Sequence, residues 1–122
     1  MRELVEVKIS IIGAGSAVFS LSLIRDLCLT PNLEGSVVSF MDINKEKLDA
    51  VYSLCKRYAE EIGIKLKLEK TMNRRESLRD ADFVVNTALA AGHYRLREGW
   101  EIACGLGYRF GGSYHIMHDE AF

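Results

Sequence analysis

Blocks of apolar and polar positions alternate along the chain and predict short strands separated by helices. Apolar, largely β-branched residues fill Val7–Ile12, and a helical pattern with one apolar face follows over about 16–29. A second apolar strand is predicted at 36–41. Asn44 is positioned to cap the next helix, which has the clearest apolar stripe in the chain and ends at Gly63.

The second half of the chain continues the same alternation. Residues 64–69 alternate strictly between apolar and charged, which is typical of an edge strand with one buried face. The Asn and Glu of a capping box open a short helix at 73–80. Residues 82–88 predict a buried strand, and a further helix is predicted after Gly92.

This order of elements predicts an α/β fold, a Rossmann-like doubly wound parallel sheet with right-handed crossovers. Its strand order would be 3-2-1-4, which puts the half-exposed 64–69 strand at the edge. Ligands of such sheets bind at the carboxyl ends of the strands. We therefore expect a site where Gly13–Ser16, Asp42 and Asn86–Ala88 end their strands.

Composition narrows the class of partner. The chain has 122 residues and a net charge of −1, so a broad basic surface for nucleic acid or anionic membranes is not expected. Its apolar stretches are shorter than the ~18–20 residues that span a bilayer, and the acidic N-terminus does not resemble a signal peptide. We expect a cytoplasmic protein with a small-molecule partner, and buried thiols at Cys28 and Cys55.

The first strand leads into two-thirds of a dinucleotide-binding fingerprint, Gly-Ala-Gly-Ser-Ala-Val from Gly13. Gly13 would permit the tight turn, and Gly15 would let a pyrophosphate approach the N–H groups that begin the helix at Ser16. Val18 replaces the third glycine, which puts close packing of helix on strand in doubt. Two glycines at such a turn are also compatible with a purely structural role.

Asp42 strengthens the nucleotide interpretation, because it ends the second predicted strand. A carboxylate there accepts hydrogen bonds from the adenosine ribose and repels a 2′-phosphate, so NAD is favoured over NADP. The spacing from Gly13 exceeds the usual ~20 residues, and the turn-forming stretch 30–35 accounts for much of the excess. The alternative is a helix-terminal charge. Methyltransferases also use a strand-2 acid, but their turn is usually richer in glycine.

Histidines and acids near the end of the chain form a second cluster. His115 and His118 would share a helix face and suit a metal, although a polar helix start is the better explanation for His115. Asp119 would cap a turn or act as a proton donor. His93 follows the fourth strand, close to the expected nicotinamide position, and a capping or surface role is its alternative.

Two segments are the most specific in the sequence: G-A-G-S-A-V-F-S from Gly13 and D-A-D-F-V-V-N-T-A from Asp80. With shorter stretches at 26–28, 41–43, 69–73 and 92–93, they resemble the NAD-dependent family-4 glycoside hydrolases, in particular the α-glucosidase branch. The likeness runs through nearly all of residues 5–108. Because family members are several times longer, residues 1–122 resemble their N-terminal NAD-binding Rossmann domain.

The resemblance implies an unusual glycosidase chemistry. In the family, NAD⁺ takes a hydride from C3 of the sugar, which acidifies the proton at C2. A base removes that proton while a divalent metal, usually Mn²⁺, polarises the C2 and C3 oxygens. The aglycone then leaves from C1, water adds and the hydride returns.

The resemblance also assigns roles by position. Cofactor binding falls to Gly13, Gly15, Ser16 and Ala17 at the pyrophosphate, Asp42 at the ribose, and Asn86 with Thr87 near the nicotinamide. His93 would contact substrate and Asp119 would protonate the leaving group. The metal ligands of the family, a Cys and a His, are expected beyond residue 122.

Substrate preference follows from one position. Members acting on 6-phospho sugars carry an Arg where this chain has Ala90, so non-phosphorylated α-glycosides are favoured, either an α-glucoside or an α-glucuronide. The segment 111–115 departs from the α-glucosidase members and leaves a glucuronide or galactoside open. The alternatives are an NAD-dependent 2-hydroxy-acid dehydrogenase and a non-catalytic NAD-binding module. We also expect a homo-oligomer.

Overall fold

The computed structural model describes residues 3–88 and 92–108. The described elements are β1 (Lys8–Ile12), α1 (Ala17–Cys28), a 3₁₀ turn (Pro31–Leu33), β2 (Val37–Met41), α2 (Lys45–Ile62), β3 (Lys67–Thr71), α3 (Arg74–Leu78), β4 (Phe83–Asn86) and α4 (Gly92–Gly105). The chain divides into two compact units, one ending at residue 88 and one beginning at residue 89. The first contains the sheet, and α4 belongs to the second.

The four strands form one parallel sheet in the order β3-β2-β1-β4. In this register Ile9 pairs with both Val38 and Phe83, and Val38 pairs with Leu68. The predicted Rossmann-like fold and strand order are confirmed. All four carboxyl ends therefore lie along the same edge of the sheet.

The apolar core lies between the sheet and the two long helices. Its fully buried side chains include Ile11, Phe40, Ile24 and Leu48. Helix α2 begins at an Asn44 cap, whose side chain accepts from the Lys47 N–H, and ends at a left-handed Gly63, as predicted. The predicted burial of Cys28 and Cys55 is also confirmed, whereas Cys104 is exposed.

Three buried serines join the short helix α3 to the sheet. Ser10 of β1 and Ser39 of β2 lie opposite each other in the register, and both hydroxyls bond the Ser77 hydroxyl of α3, at 2.7 and 2.9 Å. Because side chains alternate along a strand, these serines face the side of the sheet opposite their apolar neighbours. Small side chains there allow a five-residue helix to lie close to the strands.

Two predicted strands differ from the observed ones. The edge strand begins at Lys67 rather than at 64, because pairing with β2 starts where Lys67 N–H donates to Ser36 C=O. The fourth strand was predicted to be buried, but Phe83 and Val84 are 61% and 52% exposed. Within the described residues β4 pairs only with β1, so its outer side is uncovered. No helix in the described ranges is both long and apolar enough to cross a bilayer.

Candidate functional site

Three loops meet at the carboxyl ends of β1, β2 and β4. The turn after β1 is fixed to β2, because Gly13 N–H and Ala14 N–H both donate to Met41 C=O at 2.9 Å. The turn is fixed to β4 as well, since Thr87 N–H donates to Ile12 C=O at 2.8 Å. The structure thus brings together the glycine turn and the strand ends that the sequence predicted.

Gly13 occupies a position that excludes any side chain. Its φ of +90° is in the left-handed region, and an added Cβ would lie 2.8 Å from the backbone nitrogen of Ala88. The Thr87 hydroxyl donates to the carbonyl of Ile12 or Gly13, each 3.1 Å away. Thr87 therefore stabilises the turn itself. The sequence predicted only that Thr87 lies near the nicotinamide, and it did not indicate this contact.

Gly15 and Asp42 are in direct contact. The Gly15 N–H donates to Asp42 Oδ2 at 2.8 Å, and the Asn44 N–H donates to Asp42 Oδ1 at 2.8 Å. A Cβ on Gly15 would lie 2.7 Å from Asp42 Oδ2 and 3.0 Å from Lys47 Cβ. The absence of a side chain at Gly15 is thus required by the carboxylate of Asp42, the residue that follows β2.

The N-terminus of α1 is open to an anion. Ser16 is its N-cap residue, yet the Ser16 side chain makes no capping bond, and the first turn holds no acidic residue. Both α2 and α3 instead start with an asparagine that caps and a glutamate in the first turn. The N–H groups of the first turn lack intrahelical partners and carry partial positive charge, so an oxyanion is favoured at Ala17, whereas the Ser16 N–H already donates to Gly13 C=O at 3.3 Å.

The valine that replaces the third glycine does not disturb the helix. Val18 is 82% exposed and therefore does not lie between α1 and the sheet. Ala14 and Ser20 are buried there instead, and the Ser20 hydroxyl donates to Ala14 C=O at 2.8 Å. The Ser20 hydroxyl thus joins α1 to the glycine turn, and the expectation about close packing of the helix on the strand stays a prediction.

A cavity of about 500 Å³ lies beyond Asp42, at the carboxyl ends of β2 and β3. Ile43 and Met72, both exposed, give it an apolar part. Its lining is Met41, Ile43, Met72, Asn73, Arg74 and Arg75. Sequence reasoning missed this cavity, although an apolar Ile43 directly after the strand-ending Asp42 was a signal.

The sequence profile described as Family 4 glycosyl hydrolase matches residues 8–116. The chain belongs to this family. The matched region includes the whole glycine turn, Asp42 and the segment 80–88 that contains β4, and these segments carried the resemblance.

Named relatives of this family-4 chain act on different sugars. It is 48% identical over 54 residues to a 6-phospho-beta-glucosidase of Escherichia coli (strain K12), covering 44% of this chain and 12% of the relative. It is 28% identical over 85 residues to an alpha-galactosidase of Rhizobium meliloti (strain 1021), covering 70% of this chain and 17% of the relative. The chain thus spans less than a fifth of these curated relatives.

A solved structure has the same fold as this family-4 chain. It is a 6-phospho-alpha-glucosidase from gut microorganisms, solved in complex with NAD and Mn²⁺, with a TM-score of 0.69 and 23% identity. The alignment covers 84% of this chain and 24% of the other.

The remaining predicted site residues of the family-4 chain lie partly inside and partly outside the described ranges. Asn86 is exposed, and its Oδ1 accepts from the Ala88 N–H at 3.1 Å. Asp119, Ala90 and the His93 side chain lie outside the described residues. In the described ranges no three His, Cys, Asp or Glu side chains form a group suited to a metal.

Proposed function

We propose that the protein is a glycoside hydrolase that uses NAD⁺ and a divalent metal such as Mn²⁺, and that the described residues hold the cofactor. The observation that carries the proposal is the hydrogen bond from the Gly15 N–H to the Asp42 carboxylate. It lies within a family-4 match that covers most of the chain. The residues fit a dinucleotide, because the glycine turn lies against the Asp42 carboxylate and the first turn of α1 holds no acidic residue that would repel an oxyanion.

Each half of the cofactor meets a different part of this site. The Ala17 N–H and the Ser16 hydroxyl, next to the glycine turn, would hold the pyrophosphate. Asp42 faces the adenosine ribose, and its two backbone hydrogen bonds hold the carboxylate in place before the cofactor arrives. Asn86 and Thr87 end β4 on the nicotinamide side. When bound, the cofactor exchanges a hydride with C3 of the sugar, and the metal polarises the sugar oxygens.

The charge of Asp42 favours NAD over NADP. A 2′-phosphate on the ribose would approach a carboxylate whose oxygens already accept from Gly15 and Asn44 and which is therefore unable to turn away. The carboxylate and a 2′-phosphate are both negative and would repel each other, whereas free ribose hydroxyls donate hydrogen bonds to the carboxylate.

The cavity beyond Asp42 suits the adenine ring. The exposed side chains of Ile43 and Met72 offer the apolar surface that a flat heterocycle buries, directly beside the ribose position. Adenine there would cover both side chains from water, which stabilises the complex.

We propose a non-phosphorylated α-glycoside as substrate, either an α-glucoside or an α-glucuronide. Ala90 supports this choice, because it stands where phospho-sugar members of the family carry an arginine that pairs with the phosphate. The relatives include enzymes named for 6-phospho sugars and an alpha-galactosidase, so all these sugars belong in the test.

The experiment is release of p-nitrophenol by the full-length protein from α-glucoside, α-glucuronide, α-galactoside, 6-phospho-α-glucoside and 6-phospho-β-glucoside substrates. NAD⁺, Mn²⁺ and a thiol reductant are each present or omitted. We expect hydrolysis of a non-phosphorylated α-glycoside that needs both NAD⁺ and Mn²⁺, without net NADH. Hydrolysis of the phosphorylated sugar alone would overturn the substrate proposal, and steady NADH formation from 2-hydroxy acids would overturn the glycosidase proposal.

A further inference from the structure

Lys47 of α2 lies beside the glycine turn. Its Cβ is 3.0 Å from the position that a Cβ on Gly15 would occupy, so the stem of the lysine packs directly over the turn. Lys47 N–H bonds the Asn44 side chain, which fixes the backbone from which the lysine extends. The ammonium is carried on a flexible four-carbon stem that starts at the mouth of the proposed pyrophosphate site.

The position of Lys47 is electrostatically unfavourable within the protein alone. It lies in the first turn of α2, where the helix dipole disfavours positive charge. Lys45, in the same turn, offsets that cost through an ion pair with Asp49 at 2.6 Å. In the described part of the chain, the Lys47 ammonium has no comparable carboxylate partner.

Asp42 does not supply that partner. Its two oxygens accept from the backbone of Gly15 and Asn44, and no ion pair joins it to Lys47 among the described residues. The lysine side chain therefore starts next to Gly15, and its flexible stem lets an ammonium without a carboxylate partner among the described residues reach a phosphate bound at the glycine turn.

We propose that Lys47 is a further cofactor-binding residue, whose ammonium pairs with the phosphate on the adenosine half of the cofactor. This inference rests on the proposed function, since it needs a dinucleotide at the glycine turn. Asp42 then recognises the ribose hydroxyls, and Lys47 offsets the charge of the phosphate. The pair gives the site a means of distinguishing a nucleotide from a nucleoside.

The test is isothermal titration calorimetry of the full-length protein with NAD⁺, AMP and adenosine. The variants are Lys47→Gln, Lys47→Arg and, as a matched control, Lys45→Gln, which removes an equal charge from the same helical turn. We expect Lys47→Gln to weaken NAD⁺ and AMP binding by about five- to tenfold. This loss lies between the usual contribution of an exposed ion pair and that of a shielded charge-assisted hydrogen bond. Adenosine binding should change less than about twofold, and Lys47→Arg should retain most of the affinity.

The outcomes separate this inference from the proposed function. Wild-type protein that binds no NAD⁺ contradicts the proposed function, and the inference falls with it. Wild-type binding with equal losses in Lys47→Gln and Lys45→Gln contradicts only the inference, because the effect is then one of total charge. An equal loss for adenosine and AMP also contradicts it, since the lysine would then act on the shape of the site rather than on a phosphate.

Discussion

The contact of Gly15 with Asp42 explains why this residue pair matters more than the third glycine of the fingerprint. A side chain at Gly15 would collide with the Asp42 carboxylate, whereas Val18 projects into solvent and collides with nothing in the described structure. The glycine at this β-to-α turn is therefore required by the acid that follows the next strand.

Replacement of Gly15 by alanine should disrupt both stability and binding. The new Cβ would start 2.7 Å from Asp42 Oδ2, so the carboxylate has to move and the Gly15 N–H loses its partner. We expect a loss of about 1–3 kcal/mol in the free energy of unfolding, as for overpacking elsewhere. We also expect at least a roughly tenfold weaker NAD⁺ affinity, because the ribose contact is worth about one charged hydrogen bond.

Urea denaturation and calorimetry measure the two effects. Gly105→Ala is the control, because nothing lies within 4 Å of a Cβ built at Gly105. It should change the unfolding free energy by less than about 0.5 kcal/mol. A Gly15→Ala variant that binds NAD⁺ as the wild type does would show that Asp42 is not held by this contact.

The buried thiol of Cys55 predicts a loss of stability in alkali. Burial, helped by the nearby Cys28, raises the pKa of Cys55 from 9.0 to about 11. In that window the thiol stays protonated in the folded protein but ionises in the unfolded chain, so the free energy of unfolding falls as pH rises from about 9 to about 11. The loss attributable to Cys55 is on the order of 2 kcal/mol.

Urea denaturation at several pH values from 8 to 11 tests this expectation. The free energy of unfolding should fall less steeply with pH in Cys55→Ala than in the wild type. The substitution itself also changes the stability at every pH, but that constant difference does not affect the slope. Cys104→Ala should keep the wild-type slope, because that thiol is exposed. Equal slopes in all three proteins would mean that Cys55 titrates normally.

Helix α3 depends on hydroxyl groups rather than on apolar burial. Ser77→Ala should destabilise the protein by about 1–3 kcal/mol, because Ser10 and Ser39 would each lose a buried partner. Replacing all three serines by alanine should cost less than the sum of the single substitutions, since no hydroxyl is then left unpaired. The measurement is urea denaturation, with the exposed Ser53→Ala of α2 as control.

An additive triple variant would contradict this account of α3. So would a Ser77→Ala protein as stable as the Ser53→Ala control, because the three hydroxyls would then contribute nothing as a group.

The order of the elements was predictable, whereas the limits and burial of two strands were not. Hydrophobic periods and caps such as Asn44 act within a few residues, so the sequence alone indicates them. The start of β3 depends on the neighbouring strand, where Gly35 N–H donates to Lys65 C=O before pairing begins. The exposure of Phe83 likewise depends on which elements cover β4, and a local pattern carries no such information.

Some features of the candidate site were likewise predictable from the sequence, and others were not. Gly13, Gly15 and Asp42 were predicted because a glycine turn and a strand-ending acid have a recognisable spacing. The hold of Thr87 on the turn and the cavity at Ile43 require β4 and β3 to lie beside β1 and β2. Those contacts follow from the assembled sheet, and periodicity does not specify them.

At the scale of the whole molecule, the proposed cofactor site lies among the described residues, and the rest of the sugar chemistry is expected elsewhere. The chain covers 24% of the family-4 structure that it resembles, and the Cys and His metal ligands are predicted beyond residue 122. The proposal therefore concerns the full-length protein, and its chemistry has a signature that no conventional glycosidase shares. A conventional pair of carboxylates cleaves at C1 without touching the C2 hydrogen.

Hydrolysis in D₂O distinguishes the two chemistries. If a base removes the C2 proton during elimination and solvent returns one afterwards, the released sugar should carry deuterium at C2 in nearly every molecule formed. The hydrogen at C3 should be retained, because the hydride that leaves C3 comes back without exchange. Proton NMR of the product measures both positions. A control incubation of free sugar with the full-length protein corrects for exchange after release, and product with hydrogen at C2 would mean that cleavage proceeds without C2 deprotonation.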